Sequence, residues 1–206
     1  MHFCVTKLQN MNRIILIAVF LMLISLTCAY TFGTYPKVKM PDPIENSNVG
    51  WMTWEQAVAR LEADKAAGLK GKKFFVDVYT DWCGWCIKMD KETFQQPKIA
   101  QYLNQNFYPV KLNAEQRADI LFGGNTFKFI AQGNRGYHEL AAALLDNKMS
   151  YPTVVFLNEK VELMQRIPGY LDVPTFDCIM HYLAEEHYTN TPWETYQTAF
   201  KKNYKP

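Results

Sequence analysis

The stretch Phe74-Phe75-Val76-Asp77-Val78-Tyr79-Thr80-Asp81-Trp82-Cys83-Gly84-Trp85-Cys86 carries most of the information in this chain. Residues 74–79 have the apolar and aromatic pattern of a β-strand that is covered on both faces. The strand leads into a C-x-x-C at a point where a helix can begin. Unpaired backbone N–H groups in the first turn of a helix favour a thiolate over a thiol. The pattern therefore predicts a reactive dithiol, with Cys83 as its nucleophile.

Strand and helix patterns alternate along the rest of the chain. Thr53-Trp54-Glu55-Gln56 has the form of a capping box at the start of a helix, and Pro97 is expected to interrupt a helical stretch over residues 87–107. Gly123-Gly124-Asn125 predicts a hairpin turn between two short strands within residues 118–130. Residues 133–136 are expected to lead into a further helix. Strands are also predicted at 108–113, 153–157 and 161–167.

A last core helix is predicted at 173–186, with Asp172 as its cap. The order of the elements predicts an α/β fold in which helices cover both faces of a mixed central sheet. The two cysteines then lie at the carboxyl end of a central strand, where α/β sheets place their chemistry.

The amino-terminal residues have the pattern of an export signal. Arg13 precedes an apolar run that ends in Thr27-Cys28-Ala29, which is typical of a signal peptide over residues 1–29, and the natural start is possible at Met11. An uncleaved membrane anchor is one alternative. A lipid-modified Cys28 is another, although Ser25 stands where that motif needs a branched apolar residue. We therefore expect an exported protein in a periplasmic or secretory compartment, with no other membrane contact.

Three further regions follow this segment. Residues 30–50, rich in Pro, Asn and Ser, predict an extended leader, and residues 51–188 predict the folded domain. Residues 189–206 predict a C-terminal helical extension, with Thr191 as its cap and Pro192 as its first helical residue. Once residues 1–29 are removed, 20 basic and 20 acidic side chains are left. This balance gives no electrostatic reason to expect a nucleic-acid partner.

The cysteines outside the signal segment are Cys83, Cys86 and Cys178. An odd number favours one exchanging pair and one buried thiol over a structural disulfide framework, and Cys178 lies in a helical pattern as a small core residue. Zinc is a weak alternative because no second pair of ligands has metal-site spacing. No nucleotide or flavin motif is present, so no cofactor is expected. His138 is expected on the surface.

The chain resembles the thioredoxin superfamily from Phe74 to about Glu186. Trp82-Cys83-Gly84-x-Cys86 is similar to the family's active-site sequence, and Ser150-Tyr151-Pro152-Thr153 resembles its cis-proline loop. Gly169-Tyr170-Leu171-Asp172 is similar to the glycine turn before its last core helix. Trp85 replaces the usual active-site proline, and the extra hairpin lengthens the chain between the cysteines and Pro152. In these departures the chain is more similar to exported thioredoxin-related proteins, including the disulfide isomerase-like group, than to cytosolic thioredoxin.

The resemblance implies a role for particular residues. Asp77 falls where thioredoxins carry a buried acid that exchanges a proton with the second cysteine, and Lys111 is expected to approach it. Pro152, in cis, is expected to present the backbone of Tyr151 to a peptide. Trp82 is expected to support the active-site loop by packing.

Substrate contact is the other expected property of this loop. Trp85 is expected to be exposed between the cysteines, where it either contacts substrate or only covers the first helical turn. Trp82, Gly84, Trp85, Tyr151 and Pro152 are together the residues expected to face substrate.

These expectations lead to two hypotheses about function. In the first, the chain is an extracytoplasmic thiol-disulfide oxidoreductase, a reductase or an isomerase, in which Cys83 forms a mixed disulfide with cysteine-containing proteins and Cys86 resolves it. Such an enzyme needs a further protein as electron donor or acceptor. In the second, the fold is a non-catalytic binding module and the two cysteines form a static disulfide. The two hypotheses differ in whether the disulfide cycles.

Overall fold

A computed structural model describes residues 48–204. The predicted signal segment and most of the predicted leader lie outside these residues. The borders placed at residues 50 and 188 stay predictions. None of the helices within 48–204 is long and apolar enough to cross a membrane.

The described part of the chain contains helices and strands in the predicted order, except for one additional hairpin before α4. Its helices are α1 (Trp54–Ala66), α2 (Gly84–Met89), α3 (Pro97–Asn106), α4 (Glu139–Leu144), α5 (Val173–Ala184) and α6 (Trp193–Asn203). A π-helical turn (Asp90–Phe94) continues α2, and a 3-10 turn (His187–Thr189) precedes α6. Its strands are β1 (Lys73–Tyr79), β2 (Phe107–Asn113), β3 (Ile120–Phe122), β4 (Asn125–Phe127), β5 (Phe129–Gln132), β6 (Arg135–His138), β7 (Thr153–Leu157) and β8 (Leu163–Pro168).

Four strands form the central sheet, in the order β2-β1-β7-β8. The β1 and β2 strands are parallel, whereas β7 is antiparallel to both of its neighbours, β1 and β8. The predicted mixed sheet is therefore confirmed. β1, which leads into the two cysteines, is an inner strand, so its end is held on both sides.

Side chains of β1 alternate between two cores, as the pleat of a strand requires. Phe74, Val76 and Val78 pack with α1 on one face of the sheet. Phe75 packs on the other face with Met89 of α2 and with aromatic residues of the π-helical turn and α5. Asp77 shares the face of Phe75, so it lies on the side of the sheet that α2 covers.

Two of the three predicted helix N-caps are present. Thr53 and Gln56 form the expected capping box of α1, and the Asp172 carboxylate accepts a hydrogen bond from Thr175 N at the start of α5. The predicted cap at Thr191 is wrong, because Pro192 is the residue that precedes α6. The Thr191 carbonyl instead accepts a hydrogen bond from the Tyr182 hydroxyl.

The segment 114–138 is larger than the single hairpin predicted at 118–130. That hairpin is present as β3 and β4 around Gly123-Gly124, and a second one follows, formed by β5 and β6. The helix predicted to follow residues 133–136 is present as α4, but strand β6 (Arg135–His138), which was not predicted, precedes it. We call residues 114–138 the inserted segment; its two hairpins are separate from the central sheet.

The prediction of a surface position for His138 is also wrong, since this residue is completely buried. Its Nδ1 accepts a hydrogen bond from Leu140 N, so its Nε2–H is the atom that donates to the Ala118 carbonyl, 3.2 Å away. Burial lowers the pKa of His138. The neutral imidazole therefore ties the end of the inserted segment to its beginning.

Backbone hydrogen bonds join the inserted segment to the active-site strand. Ala114 N donates to the Tyr79 carbonyl at 2.7 Å, and His138 N donates to the Ala114 carbonyl at the same distance. Tyr79 is the last residue of β1, four positions before Cys83. The segment is thus fixed beside the end of the strand that positions the cysteines.

Candidate functional site

Cys83 and Cys86 form a disulfide, with an S–S distance of 2.07 Å. Cys83 is the residue that precedes α2, and its sulfur accepts a hydrogen bond from Cys86 N at 3.1 Å. This is the predicted place for a nucleophilic sulfur, at the amino end of a helix that follows β1. In the disulfide form both residues are nearly buried, at 5% and 4% exposure.

Trp82, which was expected to support the active-site loop by packing, has 57% of its surface exposed. Three side chains contact it. Its Nε1 donates to the Glu115 carboxylate at 3.0 Å, its ring meets the edge of Tyr151, and the Arg135 guanidinium lies over it, 5.4 Å from the ring centroid. Glu115 and Arg135 belong to the inserted segment, which therefore reaches the residue next to Cys83.

Trp85 is exposed between the cysteines, as predicted, also with 57% of its surface in solvent. Its ring lies 5.6 Å from that of Tyr170, and the Lys88 ammonium lies over both rings. The Tyr170 hydroxyl donates to Glu92 at 3.0 Å. Each of the two tryptophans near the disulfide thus has a basic group over its ring, Arg135 over Trp82 and Lys88 over Trp85.

A shallow groove of about 330 Å³ runs beside the disulfide, lined by Trp85, Tyr151, Pro152, Gly169 and Tyr170. The Tyr151-Pro152 peptide bond is cis, in agreement with the prediction. The Pro152 carbonyl accepts a hydrogen bond from Gly169 N at 2.8 Å, which joins the proline loop to the turn before α5. None of the hydrogen bonds among residues 48–204 uses the backbone N–H or carbonyl of Tyr151.

Tyr151 is half-buried between the groove and Trp82. Burial, and then the charge of Glu115, raise the pKa of its phenol to about 12. The hydroxyl is therefore neutral at physiological pH, and Tyr151 offers the groove a neutral side chain.

Asp77 and Lys111 form the predicted acid and base pair. The two residues lie opposite each other on the parallel strands β1 and β2, and Lys111 Nζ is 2.8 Å from Asp77 Oδ2. Asp77 is buried, and burial raises the pKa of its carboxyl although the nearby ammonium opposes the shift. A buried carboxyl with a raised pKa takes up a proton more readily than an exposed one.

Sequence analysis missed four further groups around Lys111. The Asp90 carboxylate lies 2.8 Å from Lys111 Nζ, and the ammonium also lies over the rings of Trp51, Tyr79 and Phe94. Burial lowers the pKa of Lys111, but Asp77 and Asp90 outweigh it and the net shift is upward. The lysine is therefore a firmly charged bridge between two carboxylates.

Cys178 is buried and carries a free thiol, as predicted for a small core residue. Burial raises its pKa to about 11, which keeps it a neutral thiol. Within residues 48–204, no group of three or more His, Cys, Asp or Glu side chains is arranged to hold a metal ion.

Comparison with known proteins identifies the fold. The sequence model of the thioredoxin-like domain matches residues 61–184, which is more than half of the chain. The chain therefore belongs to the thioredoxin-like domain family.

Its relatives include two larger proteins. Spermatogenesis-associated protein 20 of Rattus norvegicus is 36% identical over 72 residues, which cover 35% of this chain and 8% of that protein. The thiol:disulfide interchange protein DsbD of Salmonella typhimurium is 28% identical over 119 residues, 56% of this chain and 17% of DsbD. The chain thus spans less than a fifth of either relative.

Among solved structures, a thioredoxin-fold protein from Helicobacter pylori superimposes with a TM-score of 0.48 at 16% identity, over 64% of this chain and 81% of that one.

Proposed function

We propose that this protein is a thiol-disulfide oxidoreductase, a reductase or an isomerase, that acts outside the cytoplasm on cysteine-containing proteins. The observation that carries the proposal is the Cys83–Cys86 disulfide at the amino end of α2, directly after an inner strand of a thioredoxin-like sheet. The name of the relative DsbD, a thiol:disulfide interchange protein, supports the same reaction. Export rests on the sequence pattern of residues 1–29 alone.

In the reduced enzyme, the Cys83 thiolate attacks a sulfur of the substrate disulfide. One substrate thiolate leaves, and a mixed disulfide joins Cys83 to the substrate. The Cys86 N–H that points at the Cys83 sulfur in the disulfide form favours the negative charge of the attacking thiolate. The Cys86 thiolate then attacks Cys83, which releases the second substrate thiol and restores the Cys83–Cys86 disulfide.

Asp77 is the group proposed to take the proton from Cys86 during this second step. It lies on the face of the sheet that α2 covers, and its pKa is raised by burial. Lys111 remains charged throughout because Asp90 also holds it, so it stabilises the Asp77 carboxylate without donating a proton itself.

The groove beside the disulfide is proposed to hold the substrate. An extended peptide that lies along Pro152 meets the unused backbone N–H and carbonyl of Tyr151. Backbone hydrogen bonds of this kind hold a peptide with little regard to its sequence. A further protein is proposed to supply or accept the two electrons that each cycle needs.

Trapping of the mixed disulfide tests this proposal. The Cys86→Ser variant, reduced and mixed with an excess of a disulfide-bearing protein, is expected to accumulate a covalent adduct through Cys83, visible by mass spectrometry and removed by dithiothreitol. Cys83→Ser is expected to give no adduct, and Cys178→Ser combined with Cys86→Ser is expected to give the same adduct as Cys86→Ser alone. Absence of an adduct with Cys86→Ser contradicts the exchange reaction.

A non-catalytic binding module with a static disulfide is the second candidate. The near-complete burial of both cysteines in the disulfide form favours it, because an incoming thiolate needs access to a sulfur. In this case the groove still binds a protein segment, but no adduct forms in any variant.

A further inference from the structure

The inserted segment places a basic side chain at the rim of the candidate site. Arg135 lies next to the tip of the β5–β6 hairpin and is exposed, and its guanidinium stands over the ring of Trp82. Trp82 in turn meets Tyr151, the residue before the cis proline. Arg135 is thus linked to Cys83 through Trp82, and to the groove through Trp82 and Tyr151.

Within residues 48–204, no carboxylate forms an ion pair with Arg135. None of the hydrogen bonds among these residues involves its guanidinium either, although the Glu115 carboxylate accepts a hydrogen bond from the Nε1 of the same indole. Lys88, which stands over Trp85, differs because Glu92 lies 3.9 Å from it. Each of the two tryptophans thus has one cation and one carboxylate near it, but of the two cations only Arg135 makes no ion pair.

The backbone that carries Arg135 is joined to the rest of the domain. The inserted segment is bonded to β1 through Ala114 and to its own beginning through the buried His138. The central carbon of the Arg135 guanidinium lies 5.4 Å from the centroid of the Trp82 ring, a cation–π contact that uses none of its five N–H donors. These donors are therefore available to a carboxylate on a peptide that approaches Cys83.

We propose that Arg135 determines substrate specificity by binding an aspartate or glutamate close to the reacting cysteine of the substrate. The inference rests on the proposed exchange reaction and adds to it the chemical class of the preferred substrate. It assigns to the inserted segment the role of one wall of the substrate site. Arg135 contacts the substrate through its guanidinium and takes no part in the transfer of electrons.

Two matched peptides test the proposal on the full-length protein. Each contains one cysteine in a disulfide with thionitrobenzoate, and the two differ only in an Asp or an Asn beside the cysteine. The Cys83 thiolate of the reduced protein attacks the disulfide, and either thionitrobenzoate or the peptide thiol leaves. Cys86 then releases whichever group is bound to Cys83, so each reaction oxidises one Cys83–Cys86 dithiol and frees one thionitrobenzoate. Its absorbance gives the single-turnover rate, and the rates with free dithiothreitol give the intrinsic difference between the peptides.

The preference for the Asp peptide, corrected for the dithiothreitol ratio, is expected to be about two- to fivefold at low salt, the range of a solvent-exposed ion pair. This preference is expected to disappear in Arg135→Gln. It is also expected to weaken in 0.5 M salt, because the Debye length there is only about 4 Å. Arg117→Gln is the matched control, since Arg117 belongs to the same segment but stands over Phe129 rather than Trp82. It is expected to keep the preference.

The outcomes separate this inference from the proposed function. Equal preference in the wild type and in Arg135→Gln, or an equal loss in Arg117→Gln, overturns the role of Arg135 while the exchange reaction stands. If neither peptide oxidises the Cys83–Cys86 pair, the proposed function fails and the inference fails with it.

Discussion

The ammonium of Lys111 lies 2.8 Å from a carboxylate oxygen of Asp77 and the same distance from one of Asp90. Asp77 is buried, whereas Asp90 is partly open to solvent. The ammonium of Lys111 therefore connects the buried Asp77 carboxyl to the Asp90 carboxylate of the π-helical turn. This arrangement leads to two predictions about the pH dependence of thiol-disulfide exchange.

Asp77→Asn is expected to slow the resolution of the mixed disulfide about 100-fold, because a general base contributes factors of this order. In the wild type the resolution rate falls as pH drops through the raised pKa of Asp77, since only the carboxylate accepts a proton. This fall is expected to be absent in the variant. Stopped-flow measurement of tryptophan fluorescence during a single turnover follows the reaction. Asp81→Asn, which changes an exposed carboxylate nearby, is the control. If Asp77→Asn resolves the mixed disulfide at the wild-type rate, Asp77 has a structural role only.

Asp90→Asn is expected to move the same pH profile to lower pH. Burial is the main cause of the raised pKa of Asp77, but the negative charge of Asp90 contributes to it. Without that charge, the Lys111 ammonium interacts with the Asp77 carboxylate alone, so the pKa of Asp77 falls. The profile of Glu62→Gln, an exposed carboxylate of α1, is expected to match that of the wild type. An unchanged or upward shift in Asp90→Asn contradicts the shared role of Lys111.

His138 makes the anchoring of the inserted segment sensitive to acid. Burial holds its pKa below the unfolded value of about 6.5, so the folded state binds fewer protons than the unfolded state below that pH. Its contribution to stability is therefore present above pH 6.5 and is lost as pH falls through the folded pKa. His138→Asn is expected to cost about 1–3 kcal/mol at pH 7.5, because it disturbs two buried hydrogen bonds.

Urea unfolding at pH 7.5 and pH 5.5 measures this effect. The gap in free energy of unfolding between wild type and His138→Asn is expected to narrow at the lower pH. The difference between the two proteins removes the contribution of His181, whose pKa burial lowers but Asp177 and Glu185 raise overall, which gives it the opposite pH dependence. A gap of constant size between the two pH values contradicts a neutral buried imidazole.

Trp85→Ala is expected to separate substrate binding from folding. The side chain is mostly exposed, so its removal is expected to change the free energy of unfolding by less than about 1 kcal/mol. Exchange with a protein disulfide is expected to slow severalfold because the groove loses one wall, while reaction with hydroxyethyl disulfide stays unchanged. Tyr188→Ala, which removes an exposed aromatic ring outside the groove, is the control. Equal slowing with both disulfides contradicts a role in substrate binding and means that Trp85 only covers the first turn of α2.

Local sequence patterns were sufficient wherever neighbours in the chain determine the structure. Thr53 and Gln56 satisfy each other within one helical turn, and the almost continuous apolar run of residues 74–79 follows from burial on both faces. The reactive cysteines were predicted from the C-x-x-C that follows a buried strand. Asp77, Lys111 and the cis proline came from the resemblance to a family, and the structure brings Asp77 and Lys111 together at hydrogen-bond distance. Their catalytic roles stay predictions.

The errors arise where distant segments meet. Trp51 precedes α1 and Asp90 begins the π-helical turn, so only the packed fold shows that both contact Lys111. Strand β6, with the sequence Arg135-Gly136-Tyr137-His138, has no apolar periodicity, which hid the second hairpin and the burial of His138. Two of the groups that contact Trp82, Glu115 and Arg135, belong to the inserted segment, and only Arg135 comes from its unpredicted second hairpin.

The equilibrium reduction potential of the Cys83–Cys86 pair tests the central claim most directly. The protein is equilibrated in glutathione and dithiothreitol buffers of known potential, and the reduced fraction is read from tryptophan fluorescence, with Cys178→Ser as the background that leaves one redox couple. We expect a reversible two-electron transition between about −270 and −120 mV, the span of enzymes that share this chemistry. A pair that stays oxidised even in excess dithiothreitol contradicts the account and favours a static disulfide.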